Sequence, residues 1–296
     1  MKIRYLSSLI ISIISILFSS LPRAAVEPGV SGVHPQVVNG DDVPRGRLRF
    51  MVALQREDMK DLVPYGHYCG GSLITPRHVL TAAHCVTWHG GGDEGYWEVE
   101  DPSLFTAVVG MNEYGQAQGK TRKIKTITVN PRFLQGSGIW AYDVAVLELD
   151  KPVRGLPRLT LAEAWDDSPG AMGRTAGWGS IVAWYPDYPP PPPSFPVKLR
   201  ALDSPILGNE ECSAAYGDWF QAHIQLCTYT DARSICQGDS GGPLFRKIRG
   251  KNVQIGITSW LDGCAAPGSP AVYTRISSPD IRGFILSAIR RNQSMQ

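Results

Sequence analysis

The sequence predicts an all-β protein that ends in a single helix. Short runs of β-branched and aromatic residues recur along the chain, separated by Gly, Pro, Asn and Asp, which is typical of antiparallel barrels and sandwiches. No sequence repeat of fixed period accompanies them. The predicted strands are residues 50–54, 72–74, 105–109, 124–129, 144–149, 174–176, 243–245, 253–257 and 271–274.

The carboxyl-terminal segment is the stretch with clear helical periodicity. Ser278 and Pro279 provide a cap and a first-turn proline. Apolar side chains then recur on one face, at Ile281, Phe284, Ile285, Ala288 and Ile289. We expect this helix to pack on the core. The alternative, a membrane-surface helix, would need a polar face richer in Lys and Arg.

The composition is that of a soluble globular chain. Of 296 residues, 43% are hydrophobic and 19% are charged. The formal net charge is only +2, and no basic run stands out. Electrostatics therefore give no reason to expect a nucleic-acid or membrane partner.

The amino-terminal segment has the order of a secretory signal peptide. Lys2 and Arg4 precede an apolar segment at residues 6–18, and small residues follow it up to Ala25. The apolar segment is shorter than the about 20 residues that a membrane-spanning helix needs. We predict a secreted protein with a signal peptide (1–25), a short pro-segment or linker (26–36), one domain (37–291, divided near 150–160) and a tail (292–296).

Two inserts interrupt the strand pattern. Residues 88–101 are rich in Gly and acidic side chains, which predicts a surface loop after His84. The second insert, residues 184–196, contains Pro189–Pro193 and predicts a stiff, exposed polyproline II segment. Docking of that segment in an aromatic-lined groove of a partner is the alternative.

Three separated residues could supply the chemistry of nucleophilic acyl transfer, which needs a hydroxyl, a base and an anion that orients the base. Ser240 lies among glycines at residues 238–242, in a turn that can expose a hydroxyl beside backbone N–H groups. His84 and Asp143 could be the base and the anion. An α/β-hydrolase is excluded, because its order is Ser, acid, His and its strands alternate with helices.

Four motifs together resemble the trypsin/chymotrypsin family of serine proteases. They are Val37-Val38-Asn39-Gly40, Thr81-Ala82-Ala83-His84-Cys85, Asp143-Val144-Ala145-Val146-Leu147 and Gly238-Asp239-Ser240-Gly241-Gly242-Pro243. The resemblance covers about residues 37–289. It implies two packed six-stranded antiparallel β-barrels with the active site in the cleft between them.

The resemblance assigns roles to the three residues. His84 would be the general base and then the acid, Asp143 would orient it, and Ser240 would be the nucleophile. Backbone N–H groups of Gly238 and Ser240 would form the oxyanion hole. The six cysteines alone allow fifteen pairings, whereas the resemblance implies Cys69–Cys85, Cys212–Cys227 and Cys236–Cys264.

The resemblance also implies that the protein is made as a zymogen. Cleavage before Val37 would free an amine that pairs with Asp239, and before cleavage the loop around Ser240 would be loose. Gln36 stands where Arg or Lys is usual in the family. We therefore predict that a trypsin-like activator does not cut this bond.

The resemblance also implies the position of the substrate pocket, where trypsin-like members carry an acid six residues before the nucleophilic serine. Ser234 occupies that position, and the other predicted pocket residues are Ile235, Ser259, Trp260, Leu261 and Ala271. A buried Arg or Lys of the substrate would have no partner there, and Leu261 should narrow the entrance. We expect cleavage after small or medium aliphatic residues, with large aromatic residues second. Asp262 could favour basic groups elsewhere in the substrate.

We predict no cofactor and no metal site. His78, His84 and His89 lack the spacing of a zinc motif. Residues 111–122 carry two basic side chains near the end of the loop in which some relatives bind calcium.

The expected partners are protein or peptide substrates and protein inhibitors of proteases, with no nucleic acid and no membrane, and the chain is expected to be a monomer. One alternative is a secreted homologue that binds without cutting, but no substitution in the motifs favours it. The other is an esterase of the same fold, which nothing in the sequence singles out.

Overall fold

The computed structural model describes residues 38–61, 63–89, 97–116, 119–136, 140–185 and 194–294, without the side chains of residues 293 and 294. All of them belong to one structural unit, His34–Gln296. The predicted signal peptide and pro-segment lie outside the described residues, and so do Val37 and Pro189–Pro193.

Strands dominate the described residues, as predicted. They are β1 (Asp41–Asp42), β2 (Met51–Arg56), β3 (His67–Leu73), β4 (His78–Thr81), β5 (Thr87–His89), β6 (Trp97–Val99), β7 (Phe105–Val109), β8 (Lys120–Val129), β9 (Ala145–Leu149), β10 (Thr160–Leu161), β11 (Met172–Gly177), β12 (Arg200–Pro205), β13 (Gln225–Thr228), β14 (Pro243–Ile248), β15 (Lys251–Trp260) and β16 (Ala271–Arg275).

The first half of the domain is a closed barrel of six antiparallel strands, in the order β2-β3-β4-β9-β8-β7. Strand β9 is buried at all five positions, which explains its nearly continuous apolar sequence. The runs predicted from the sequence in this half extend at most one residue beyond the observed strands. A closed barrel leaves no free edge, so the positions of its strand ends are fixed by register.

The second half is a larger sheet, in the order β1-β12-β11-β14-β15-β16-β13, with the short β10 running parallel to β15. The residue that follows β12, Ile206, forms an isolated antiparallel bridge with Thr228 of β13. The Leu207 N–H also donates to the Cys227 carbonyl at 3.0 Å. The expected two-barrel fold is confirmed, with a second barrel that closes through a short seam and carries two extra strands of two residues each.

The insert at residues 88–101 is not a loop throughout. Its described residues pair in strands β5 and β6, with Trp88 opposite Glu98. The ring of Trp97 packs against Phe133, at 4.9 Å between centroids, and against Trp140 at 5.8 Å. Aromatic packing therefore holds the base of this hairpin against the barrel, while residues 90–96 lie outside the described part of the chain.

Three α-helices occur among the described residues: α1 (Pro131–Leu134), α2 (Asn209–Tyr216) and α3 (Pro279–Ser294). As predicted, α3 packs on the core, with Ile281, Ile285 and Ala288 fully buried. Within the described residues, no helix has the length and apolar character needed to cross a membrane. Single 3-10 turns occur at Glu57–Met59, Pro64–Gly66, Pro102–Leu104 and Gly217–Trp219.

Candidate active site

Strand register brings His84 and Asp143 together. His84 follows the end of β4 and Asp143 precedes the start of β9, and these antiparallel neighbours pair Thr81 with Ala145. The His84 Nδ1 atom lies 2.8 Å from Asp143 Oδ2, and the His84 backbone N–H donates to Asp143 Oδ1 at 2.9 Å. A carboxylate can only accept, so Nδ1 carries the proton and the second ring nitrogen, Nε2, keeps its lone pair.

Asp143 is fully buried, and its burial is compensated by donors from the second barrel. The Ser259 hydroxyl donates to Asp143 Oδ2 at 2.6 Å, and the Thr274 hydroxyl donates to the Asp143 backbone carbonyl at 2.8 Å. Burying a carboxylate is costly unless hydrogen bonds replace its water. Donors from both barrels therefore hold Asp143 at the interface.

Ser240 lies in a turn that backbone hydrogen bonds fix to both barrels. Gly70 of β3 donates its N–H to the Ser240 carbonyl at 2.7 Å, and Gly241 donates to the Thr258 carbonyl of β15 at 2.8 Å. Gly241 has φ +76°, and an added Cβ would lie 2.2 Å from the Thr81 hydroxyl. Only glycine fits there. The turn thus packs against the strand end that leads to His84.

The Ser240 hydroxyl is not hydrogen-bonded to any described residue, His84 included. In unliganded sites such bonds are often long and shorten when the substrate binds. Within the turn, the N–H groups of Asp239, Gly241 and Gly242 have carbonyl partners. The N–H groups of Gly238 and Ser240 have none among the described residues. Two unpaired donors therefore flank the hydroxyl.

Asp239 is buried beneath this turn, and the described residues offer its carboxylate no cation. It accepts from the backbone N–H of Gly179 at 2.8 Å and of Cys236 at 2.9 Å. Burial raises the pKa of Asp239 to about 6, and the two hydrogen bonds oppose the rise. An added Cβ at Gly177 or Gly179 would lie within 2.5 Å of the carboxyl group, so both positions require glycine.

His67 contacts the same turn, although sequence reasoning did not find it. Its Nε2 lies 3.0 Å from the Gly238 carbonyl, so Nε2 must be the protonated nitrogen. The side chain is buried, and burial lowers its pKa to about 4. No motif marks this histidine, because its partner is a backbone atom 171 residues away in sequence.

The predicted pocket residues lie in β16 and in the two segments that the Cys236–Cys264 disulfide joins. The Ser234 hydroxyl donates to the Ile235 carbonyl at 2.6 Å and accepts from the Ala265 N–H at 2.7 Å. Both Ser234 and Ile235 are buried, as is Ala271, whereas Leu261 is half-buried. The Ser234 hydroxyl is thus occupied by backbone groups. Trp260 packs edge-on against Tyr216 at 4.6 Å.

The comparison with protein families matches this chain to the family model named Trypsin over residues 37–281. The chain belongs to the trypsin family. It is therefore a serine endopeptidase, a hydrolase that acts on peptide bonds in proteins or peptides.

Its curated relatives agree with the family. A tryptase of Mus musculus is 33% identical over 276 residues, covering 88% of this chain and 91% of the relative. Hypodermin-B of Hypoderma lineatum is 31% identical, covering 86% of this chain and 89% of the relative. A trypsin of Saccharopolyspora erythraea is 29% identical, with 82% and 94% covered.

This trypsin-family protease has three disulfides among its described residues: Cys69–Cys85, Cys212–Cys227 and Cys236–Cys264. They join the pairs that the resemblance implies. One group of potential metal ligands occurs in the described residues, formed by Cys69, His84 and Cys85. Its two sulfurs are bonded to each other, so the group offers no thiolate to a metal.

Aromatic side chains border His84 on one side. The Trp140 ring meets the imidazole edge-on, with 4.9 Å between centroids, and Trp97 packs behind Trp140. Sequence reasoning did not connect these residues with the site, because their ring contacts are tertiary contacts that no local motif marks. The Trp140 ring therefore covers one side of the imidazole.

Proposed function

We propose that Ser240, His84 and Asp143 form the catalytic triad of this protease. The observation that carries the proposal is the His84–Asp143 pair, whose geometry leaves the lone pair of Nε2 free to accept a proton. The serine turn packs against the same strand end, with its hydroxyl flanked by two unpaired N–H groups. These are the parts that acyl transfer by a serine hydroxyl requires.

The proposed reaction proceeds in two halves. As Ser240 Oγ attacks the scissile carbonyl carbon, His84 Nε2 takes the hydroxyl proton, and the carbonyl oxygen gains negative charge. The backbone N–H groups of Gly238 and Ser240 would donate to this oxyanion. His84 then gives its proton to the leaving amine, which departs and leaves an acyl-enzyme. In the second half, His84 deprotonates a water that attacks the acyl carbon. The bond to Ser240 Oγ breaks, His84 returns the proton to Oγ, and the acid leaves.

Proposed activation depends on Asp239 and an amine at Val37. Val38, the next residue, is buried against Cys236 and Cys264, and its carbonyl lies 3.4 Å from the Ser234 N–H. The chain therefore enters the domain beside the segment that binds Asp239. Cleavage before Val37 would supply the cation that the Asp239 carboxylate lacks among the described residues, and would fix the turn that carries the oxyanion donors.

The proposed substrate preference is for small or medium aliphatic side chains. The Ser234 hydroxyl is engaged by backbone groups and carries no charge, so a buried Arg or Lys of the substrate would be stranded. Leu261 projects from the segment that would pair with the substrate backbone as an added strand. In a matched peptide series, we expect faster cleavage after Ala or Val than after Arg. The reverse order would contradict this pocket assignment.

Active-site labelling tests the triad. A fluorophosphonate should add once to a chain that begins at Val37, and Ser240→Ala should abolish the adduct. Ser72→Ala is the matched control, because it removes a buried serine hydroxyl that donates to Gln254 and should leave labelling intact. A folded chain that is not labelled, or an adduct that persists in Ser240→Ala, would overturn the assignment.

A further inference from the structure

A cationic cavity of about 520 Å³ lies at the end of strand β14 remote from Ser240. Five cationic side chains and one carboxylate line it: Arg47, Arg49, Arg174, Arg246, Lys247 and Asp203. For a chain whose net charge is only +2, this is a strong local excess of positive charge.

Two separate basic segments, together with Arg174 of β11, produce this excess. Residues 45–49 read Arg-Gly-Arg-Leu-Arg, and residues 246–251 read Arg-Lys-Ile-Arg-Gly-Lys. Neither is long enough to stand out as a basic run. The fold brings them together, because the first segment leads into β2 and the second is the turn between β14 and β15. The rings of Phe50 and Phe245 meet edge-on at 5.0 Å and join the two segments.

The charges of the cavity are only partly neutralised. Asp203 accepts hydrogen bonds from both Nε and Nη2 of Arg174, so its negative charge is paired with Arg174. Arg246 donates to the Asp166 backbone carbonyl at 3.1 Å, which orients it without cancelling its charge. The side chains of Arg47, Arg49 and Lys247 have no hydrogen-bond or ion-pair partner among the described residues. Preoriented and unpaired cations together are suited to an anionic ligand.

We propose that this cavity binds a linear sulfated polysaccharide. Guanidinium groups match the oxygens of sulfate in bidentate pairs, and several cations around one groove fit a polymer with repeated sulfates. Single-stranded nucleic acid fits less well, because its binding sites add exposed aromatic rings that stack on bases. The aromatic side chains lining this cavity, Phe50 and Phe245, are buried.

The cavity lies away from the serine turn. Strand β14 begins at Pro243, just after the serine turn, and rises about 3.3 Å per residue, so Lys247 lies about 13 Å along the strand from Pro243. A bound polysaccharide would therefore tether the protease and leave the cleft open. The proposal does not depend on the triad assignment.

The test is titration of the full-length Ser240→Ala chain with a size-defined heparin oligosaccharide, by calorimetry between 50 and 200 mM salt. We expect saturable binding whose affinity falls as salt rises. The double variant Arg47→Ser/Lys247→Ser should bind at least about tenfold more weakly, with the slope of log affinity on log salt reduced by about two.

The matched control is Lys123→Ser/Arg290→Ser, which removes the same two residue types from exposed positions elsewhere. It should change the affinity by less than about twofold, and thermal unfolding should show that both double variants are folded. Equal losses in the two variants, or no saturable binding at 150 mM salt, would overturn the proposal. Tighter binding of a single-stranded oligonucleotide of equal charge would overturn the choice of a polysaccharide.

Discussion

The two sides of the active site are held by different kinds of structure. His84 and Asp143 stand beside the ends of neighbouring strands in a closed barrel. Strand register and the bond from the His84 N–H to Asp143 Oδ1 hold His84 Nδ1 2.8 Å from Asp143 Oδ2. Ser240 stands in a turn without strand pairing, where backbone hydrogen bonds and glycines at positive φ set the conformation. The proposed base therefore follows paired strands, whereas the proposed nucleophile and oxyanion donors lie in a turn.

The difference indicates where activity can be switched. A ladder changes only if strands separate, whereas a turn changes when a few contacts are gained or lost. Beneath the turn, Asp239 is buried with two backbone donors and no cation among the described residues. Activation is therefore expected to act on the serine turn and to leave the His84–Asp143 pair unchanged.

The largest expected effect comes from a substitution in the His84–Asp143 pair. Asp143→Asn should lower kcat by about 10⁴-fold, the magnitude known for this substitution in the family, because an amide favours the wrong histidine tautomer. Asp150→Asn, at the other end of β9, is the matched control and should change kcat by less than about twofold. Steady-state kinetics with one peptide substrate measures both. Comparable losses in the two variants would mean that β9 is disturbed as a whole.

The next largest effect on activity is expected from a substitution beneath the serine turn. In a chain that begins at Val37, Asp239→Asn should lower kcat/KM by about 10²–10³-fold, because it leaves the new amine buried and unpaired. In the uncleaved chain the same substitution should cost little, since no amine is there to lose its partner. Equal losses in both forms would show that Asp239 acts without Val37.

A smaller effect is expected at His67. Replacing it with Gln removes the ring beside the Gly238 carbonyl and should lower kcat by about tenfold, the cost of one buried hydrogen bond. His78→Gln is the control, because His78 is also buried but bonds to Thr75 in the first barrel. Kinetics and thermal unfolding of both variants separate the roles. A kcat loss in His78→Gln equal to that in His67→Gln would rule out a specific role in the turn.

The smallest effect concerns stability in acid. Burial lowers the pKa of His67 to about 4 and raises that of Asp239 to about 6. As the pH falls from 6.5 to 4, the His67 contribution to the free energy of unfolding decreases and the Asp239 contribution increases, so the two offset each other.

Single substitutions in the uncleaved chain should separate the contributions of His67 and Asp239 to the free energy of unfolding. Relative to wild type, Asp239→Asn should lose stability more steeply as the pH falls, by up to about 1.4 kcal/mol per pH unit. His67→Gln should show the opposite trend over the same range. Chemical denaturation at pH 4 to 6.5 measures both, and parallel curves for the three proteins would contradict the buried pKa values.

Local patterns predicted most of the fold. Runs of β-branched residues marked the strands, and the spacing of Ile281, Ile285 and Ala288 marked α3. The short helix α2 was missed, since it has few apolar residues. A disulfide from Cys212 to Cys227 of β13 holds it in place, and no local pattern marks that tertiary bond. The hairpin of β5 and β6 was missed because the packing of Trp97 on Phe133 is a tertiary contact.

The candidate site likewise combines residues that sequence motifs mark with residues that only tertiary contacts reveal. Ser240, His84 and Asp143 stand in motifs that can be read from the sequence. The His67–Gly238 bond and the Trp140 ring beside His84 depend on which atoms the fold brings together. The cationic cavity is a further example, because neither of its two basic segments is unusual until they share one groove.

The most direct test compares the uncleaved chain with one that begins at Val37, using proton NMR of the His84 Nδ1–H and the rate of fluorophosphonate labelling. We expect the same downfield Nδ1–H resonance in both forms, abolished by Asp143→Asn, and labelling at least about 100-fold faster after cleavage. A resonance that appears only after cleavage would contradict this expectation, because activation would then build the His84–Asp143 pair as well as the serine turn.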